Sequence, residues 1–173
     1  MLGFASGKTS LAVALANKLD GEIVSADSRQ IYRGMDIGTG KDLIEYGDVP
    51  YHLIDNHQIG DVYSVAHFQK EALDAIQDII SRGKMPIVCG GTGLYVESLI
   101  QQYQFSRVPD FLQEPLKYEF DFQVFGLNPS LGDRRNRISI RLKQRLAAGL
   151  LEEVQGLLER GVSVEALAWM GLE

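Results

Sequence analysis

The segment Gly3-Phe-Ala-Ser-Gly-Lys-Thr9 runs without a breaker into Leu11, Ala12, Ala14, Leu15 and Leu19, so a glycine-rich turn opens directly onto a helix over 8–19. No other feature restricts the fold as strongly. Bare N–H groups at a helix start form an anion cradle, to which Lys8 adds a point charge and Thr9 a hydroxyl suited to Mg²⁺. Apolar positions spread round this helix predict that it buries most of its faces. Gly21 then resets the chain, and the run Glu22-Ile-Val-Ser-Ala-Asp27 predicts a buried strand of parallel type that delivers Asp27 at its carboxyl end. The loop departs from the full phosphate-binding pattern G-x-x-x-x-G-K-[ST] at one place, because Leu2 stands where the first glycine belongs. The strand expected to feed the loop has no counterpart before Met1.

The same alternation continues. Ser64 is a good N-cap for a helix whose apolar positions Val65, Phe68, Ala72, Ile76, Ile79 and Ile80 recur until Gly83 supplies a stop. Met85-Pro-Ile-Val-Cys89 predicts a strand that runs into Gly90-Gly-Thr-Gly93 and a helix from Leu94 to Gln101. Phe120 to Leu127 predicts one more strand, followed by a helical region from about Leu131 to Arg160 that breaks near Gly149. Strands alternating with helices predict an α/β fold, P-loop NTPase-like, with a mainly parallel sheet flanked by helices. With 173 residues and 45% hydrophobic composition, residues 1–173 are expected to form a single core domain, with the poorly patterned stretch 102–119, which holds Pro109 and Pro115, as a linker.

Charge narrows the partners. A net charge of −6 argues against binding a polyanion over the whole surface, so any nucleic-acid site must be local. Arg134, Arg135, Arg137, Arg141, Lys143 and Arg145 place six of the 17 basic residues within twelve positions, which is either such a site or a solvated helix face. Cys89 stands alone, so an internal disulfide is excluded, and it is expected to be a buried strand residue. His52, His57 and His67 lack metal-like spacing and are expected to be structural or surface residues. No apolar run approaches the ~18 residues that span a bilayer, and no signal pattern opens the chain, so a soluble cytoplasmic protein without membrane contact is expected.

Five blocks together are similar to the tRNA dimethylallyltransferase family: Ala5-Ser-Gly-Lys-Thr9, Asp27-Ser-Arg-Gln-Ile-Tyr-Arg-Gly-Met-Asp-Ile-Gly-Thr39, Pro50-Tyr-His-Leu-Ile-Asp55, Tyr63-Ser-Val-Ala-His-Phe68 and Gly90-Gly-Thr-Gly-Leu-Tyr95. Arg137 to Glu153 resembles a later Arg-containing helix of that family. The resemblance implies transfer of a dimethylallyl group from dimethylallyl diphosphate to N6 of the adenine next to the anticodon in tRNA, by a monomeric enzyme that uses Mg²⁺ held at Thr9. It implies that Ala5, Ser6, Gly7, Lys8, Thr9 and Arg137 hold the diphosphate, with Arg141 as the second choice of arginine. It implies further that Asp27 is the base, with Thr92 and Arg137 as the other catalytic residues, and that Asp27, Ser28, Arg29, Gln30, Tyr32 and Thr92 contact the tRNA. The family carries a helical domain between the equivalents of Leu99 and Phe120, where about twenty residues connect them here, and it continues past the equivalent of Gly171-Leu-Glu173.

The residues alone leave other readings open. Asp27 could be a Mg²⁺ ligand or a helix cap, Thr92 could serve only its turn, and Tyr32 could be core packing. A P-loop small-molecule kinase would place Lys8 on the β/γ-phosphates and Asp27 on Mg²⁺ or an acceptor hydroxyl. Prenyl transfer to free adenine nucleotides would keep the cradle and change the acceptor. An inactive fragment that only binds RNA or a protein partner is a further reading, against which the retained Lys8, Thr9, Asp27, Thr92 and Arg137 argue.

Overall fold

Three short parallel strands organise this computed structural model, which describes residues 7–105 and 120–170. β1 (Gly21–Ser25) is central, β2 (Tyr51–His52) lies on one side and β3 (Met85–Cys89) on the other. Ile23 pairs with Tyr51 across one edge and with Ile87 across the other, and every pairing is parallel. Parallel neighbours cannot be joined by a tight turn, so each connection leaves the sheet and returns over a face. α3 (Val65–Ser81) lies within the connection that leads to β3, and α1 (Lys8–Leu19) leads into β1.

Alternation along β1 sends neighbouring side chains to opposite faces. Ile23 packs with Ala12 and Ala16 of α1 and with Tyr46, Val49 and Ile54. Val24 faces the larger core, where Phe68, Ala72 and Ile76 of α3 meet Tyr95 and Leu99 of α4 (Gly93–Ile100). The Phe68 ring stacks on Tyr95 with centroids 4.1 Å apart and planes 11° from parallel. Burying a side chain of this size contributes roughly 1.5–3 kcal/mol. Buried Gln69 donates from Nε2 to the Ser98 carbonyl at 2.7 Å, which satisfies a polar group that would otherwise oppose the packing of α3 on α4.

Two expectations are corrected. α1 was expected to bury most of its faces, but only Ala12 and Ala16 are buried, while Leu11 and Leu19 are 40% and 48% exposed. Its neighbours are β1, β3 and the 3-10 turn Leu43–Tyr46, which cover one stripe. Phe120–Leu127 forms no strand. Among the described residues it has no ladder partner, and Val124 and Phe125 are 66% and 75% exposed. Apolar β-formers do not make a strand unless another strand accepts their backbone hydrogen bonds. Cys89 does lie in β3 but is only half-buried.

The C-terminal helices follow the prediction. α5 (Leu131–Ala147) and α6 (Leu150–Glu159) meet at Gly149, whose φ of 102° ends one helix and starts the next. α2 (Asp36–Thr39) and α7 (Val164–Trp169) were not predicted. Of the expected linker, 106–119 lies outside the described residues, and 102–105 holds no helix or strand. Among the described residues no helix is long and apolar enough to cross a membrane.

Candidate active site

The carboxyl ends of β1 and β3 are laced together. Ala26 donates its N–H to the Cys89 carbonyl at 2.9 Å, and its own carbonyl accepts the Thr92 N–H at 3.1 Å. Gly90 allows this, since a Cβ there would collide with the Ala26 backbone. Asp27 and the glycine-rich turn after β3 are thereby brought side by side. The Thr92 hydroxyl accepts the Ser28 N–H at 2.9 Å and donates to Ser28 Oγ at 3.2 Å. Asp27 Oδ1 accepts the Arg29 N–H at 3.0 Å. Gln30 is held at both ends of its amide: Oε1 accepts from Ser25 Oγ at 3.2 Å and Nε2 donates to the Gly40 carbonyl at 3.1 Å.

A cleft of 740 Å³ opens here. Gly7, Lys8 and Thr9 line it from the start of α1, Asp27 and Gln30 from the segment after β1, and Gly90 and Gly91 from the turn after β3. Its far wall is α5, which contributes Arg137, Arg141 and Arg145 at four-residue spacing, so all three lie on one helix face. Arg137 reaches the loop: its Nη1 lies 3.6 Å from where a Cβ on Gly7 would stand. Lys8 Nζ lies 4.0 Å from the equivalent point on Gly91. Two cations and the start of a helix therefore converge on one space, and Asp27 lines the same cleft.

Burial, and then the charge of Arg141, push the Arg145 guanidinium below its ordinary value. Its Nε is buried without a hydrogen-bond partner among the described residues. Burial pushes the Cys89 thiol up, against a smaller pull from Lys8. Among the described residues no group of three or more His, Cys, Asp or Glu is placed to hold a metal. Oxygen donors do face the cleft at Thr9 and Asp27.

Gly7, Lys8, Thr9, Asp27, Gln30 and Arg137 thus share one cleft, and Ser28 and Thr92 form a pair next to Asp27. Arg29 lies half-buried beside them, and its N–H donates to the Asp27 carboxylate. Tyr32 does not join them. It is 2% exposed, its ring sits in the larger core and its hydroxyl donates to the Asp61 carbonyl at 3.4 Å, so packing is its role here. Ala5 and Ser6 lie outside the described residues. Arg134, Arg135 and Lys143 do not line the cleft. The histidines are structural, as expected: His52 meets Glu22, His57 meets Glu71, and His67 completes the cap at Ser64.

Lys41 was not foreseen. Its side chain is fully buried, with Nζ donating to the Tyr32 carbonyl at 2.8 Å, to Asp36 Oδ1 at 2.7 Å and to Asp55 Oδ1. Its three donors meet three acceptors, so this buried ammonium at the cleft is fully hydrogen-bonded. A lysine amid turn residues, between Gly40 and Asp42, was the only sequence signal for it.

Residues 30–119 and 106–173 match the model of a family described as IPP transferase. A Syntrophotalea carbinolica protein named tRNA dimethylallyltransferase 2 is 42% identical over 221 aligned positions, taking in 98% of this chain and 74% of that protein. Its namesake from Trichlorobacter lovleyi is 41% identical, over 98% of this chain and 72% of its own length. Among solved structures, the full-length tRNA isopentenylpyrophosphate transferase of Bacillus halodurans matches with a TM-score of 0.85 at 30% identity, over 96% of this chain and 71% of that one. A eukaryotic dimethylallyltransferase acting on tRNA matches at a TM-score of 0.54 and 37% identity, over 60% of this chain and 25% of that one. The fold is α/β and P-loop NTPase-like, as the strand–helix alternation predicts.

Proposed function

The chain belongs to the IPP transferase family, and we propose that it transfers a dimethylallyl group from dimethylallyl diphosphate to N6 of the adenine next to the anticodon of a tRNA. One observation carries this: an anion cradle built from Gly7, Lys8 and Arg137 and a carboxylate at Asp27 face the same cleft. As the C–O bond to the prenyl carbon breaks, its electron pair passes to the diphosphate, whose growing charge Lys8, Arg137 and the N–H groups of the loop stabilise more than they stabilise the ground state. Ala5 and Ser6 complete the loop in this reading. The N6 amine, weak because its lone pair is delocalised, forms the new C–N bond while Asp27 takes its proton.

Reaching that amine requires the base to leave its stack. Ser28, Arg29, Gln30 and Thr92 surround Asp27 and form the acceptor side, with the loop on the donor side. The Thr9 hydroxyl, a hard oxygen donor beside the cradle, would hold Mg²⁺ in this reading. When bound, that ion adds positive charge where the leaving group forms. The arginines at 141 and 145 supply local positive charge that the acidic whole lacks. The protein acts as a cytoplasmic monomer in this reading. In this reading the additional residues of the relatives fall at 102–119, which is supported by the overlap of the two family matches at 106–119 and by an alignment of 221 positions against a chain of 173 residues.

The test is single-turnover transfer from labelled dimethylallyl diphosphate, with Mg²⁺, to an unmodified anticodon stem-loop. Asp27→Asn is expected to slow transfer by about 10²–10⁴ while stem-loop binding persists. Arg137→Ala is expected to slow it by about 10²–10³ with the fold intact. Label that moves to free adenine nucleotides and not to RNA would replace the acceptor. ATP consumption without prenyl transfer would replace the reaction.

A further inference from the structure

Glu153 lies on α6, outside the lining of the cleft, and the chemistry above makes no use of it. Yet its carboxylate accepts three consecutive backbone N–H groups: Oε2 from Asp36 at 2.7 Å and Ile37 at 2.8 Å, and Oε1 from Gly38 at 2.8 Å. These are the open donors at the start of α2, a helix of four residues whose N-cap, Met35, offers no side-chain cap. The carbonyls of the same segment are held from α5. Arg145 Nη1 donates to Gly38 O at 3.1 Å, and Arg141 Nη2 donates to Gly40 O at 3.2 Å while pairing with Asp42.

A single helical turn is not stable by itself, because nucleation fixes several residues for one hydrogen bond. The shape of 36–40 is therefore set in large part from outside, with the N–H groups of 36–38 met by α6 and the carbonyls of Gly38 and Gly40 by α5. Gly40 fits this arrangement: φ is +62°, and a Cβ would collide with the Arg145 guanidinium. What the segment holds in turn is part of the site. The Gly40 carbonyl also accepts from Gln30 Nε2, and Gln30 is tied through Ser25 to the strand end that delivers Asp27.

We infer that Glu153 is a positioning residue for the acceptor side of the cleft: by pinning the N–H groups of residues 36–38 it places the Gly40 carbonyl, and through it the amide of Gln30 beside Asp27. The inference rests on the function proposed above and adds a residue to it. Loss of Glu153 is expected to weaken RNA binding more than diphosphate binding, because the hydrogen bonds of the segment it pins lead through the Gly40 carbonyl to Gln30 on the acceptor side.

The experiment compares the whole chain with its Glu153→Gln variant, which keeps the size and removes the charge and one acceptor oxygen. Three quantities are read: amide hydrogen exchange at 36–38, affinity for an unmodified anticodon stem-loop, and affinity for inorganic diphosphate. Exchange at 36–38 is expected to quicken, and stem-loop affinity to fall about tenfold while diphosphate affinity stays within about twofold. Glu153→Asp, which keeps the charge, is expected to recover part of the stem-loop affinity. If Glu153→Gln does not fold, Glu153→Asp decides by the same selectivity, with a smaller loss. Faster exchange with unchanged stem-loop affinity overturns the inference, as does equal weakening of both ligands. An unsubstituted chain that binds diphosphate and no RNA overturns the proposed acceptor, and this inference with it, before any variant is compared.

Discussion

α3 and α5 are each 17 residues long, but α3 buries seven residues and α5 buries none. Sheet and α4 cover one face of α3, and Phe68, Ala72 and Ile76 lie there. α5 is attached by guanidinium contacts to the carbonyls of Gly38 and Gly40 and to Asp42, while Ile138, Leu142 and Leu146 stay about half exposed. Apolar burial is not weakened by ionic screening and scales with area, whereas exposed ion pairs are worth little. The two helices thus divide the labour: α3 builds a rigid platform that presents Asp27 and the glycine-rich turns, and α5 brings arginines to that platform through contacts that a bound anion can reinforce.

Phe68→Ala breaks the platform side of this comparison most severely. It removes the ring stacked on Tyr95 and is expected to cost about 3–5 kcal/mol in unfolding free energy, measured by denaturant titration. An effect under 1 kcal/mol would mean that α3 is no more firmly seated than α5.

Acid should act next, at the end of the sheet away from the cleft. Arg82 hydrogen bonds hold the buried Glu22 carboxyl down to about 2, against burial, which pushes it up, and His52 adds to Arg82. A carboxyl depressed in the folded state contributes stability that is complete above its unfolded value of 4.5 and is lost as pH falls towards about 2. Unfolding free energy should therefore decline across that window, and Glu22→Gln should flatten the decline. An unchanged slope in the variant would assign the acid sensitivity to other carboxylates.

Ile138→Ser gives the smallest change. Ile138 is 48% exposed on α5, so the unfolding midpoint should correspond to a change within about 0.5 kcal/mol. A loss comparable to Phe68→Ala would show that α5 is seated by apolar contact after all, which would sharpen the division between the two helices into a difference of degree.

The period of apolar positions, the Ser64 cap, the stop at Gly83 and the break at Gly149 were legible in the amino-acid sequence, because each is decided within a few residues by propensity and turn chemistry. The loop Gly7-Lys8-Thr9 and Asp27 at a strand's carboxyl end were legible for the same reason. Three features depended on tertiary structure. Periodicity marks which face is apolar but not what covers it, so Phe120–Leu127 reads as a strand yet finds no ladder partner, and α1 leaves Leu11 and Leu19 exposed. Tyr32 sits among polar residues that line or border the site, but its own side chain turns into the core. Glu153 and Asp36 are 117 residues apart, and Arg145 and Gly38 are 107 apart. No local pattern encodes such pairs, because they exist only after apolar burial has folded the sheet and brought α5 and α6 alongside α2.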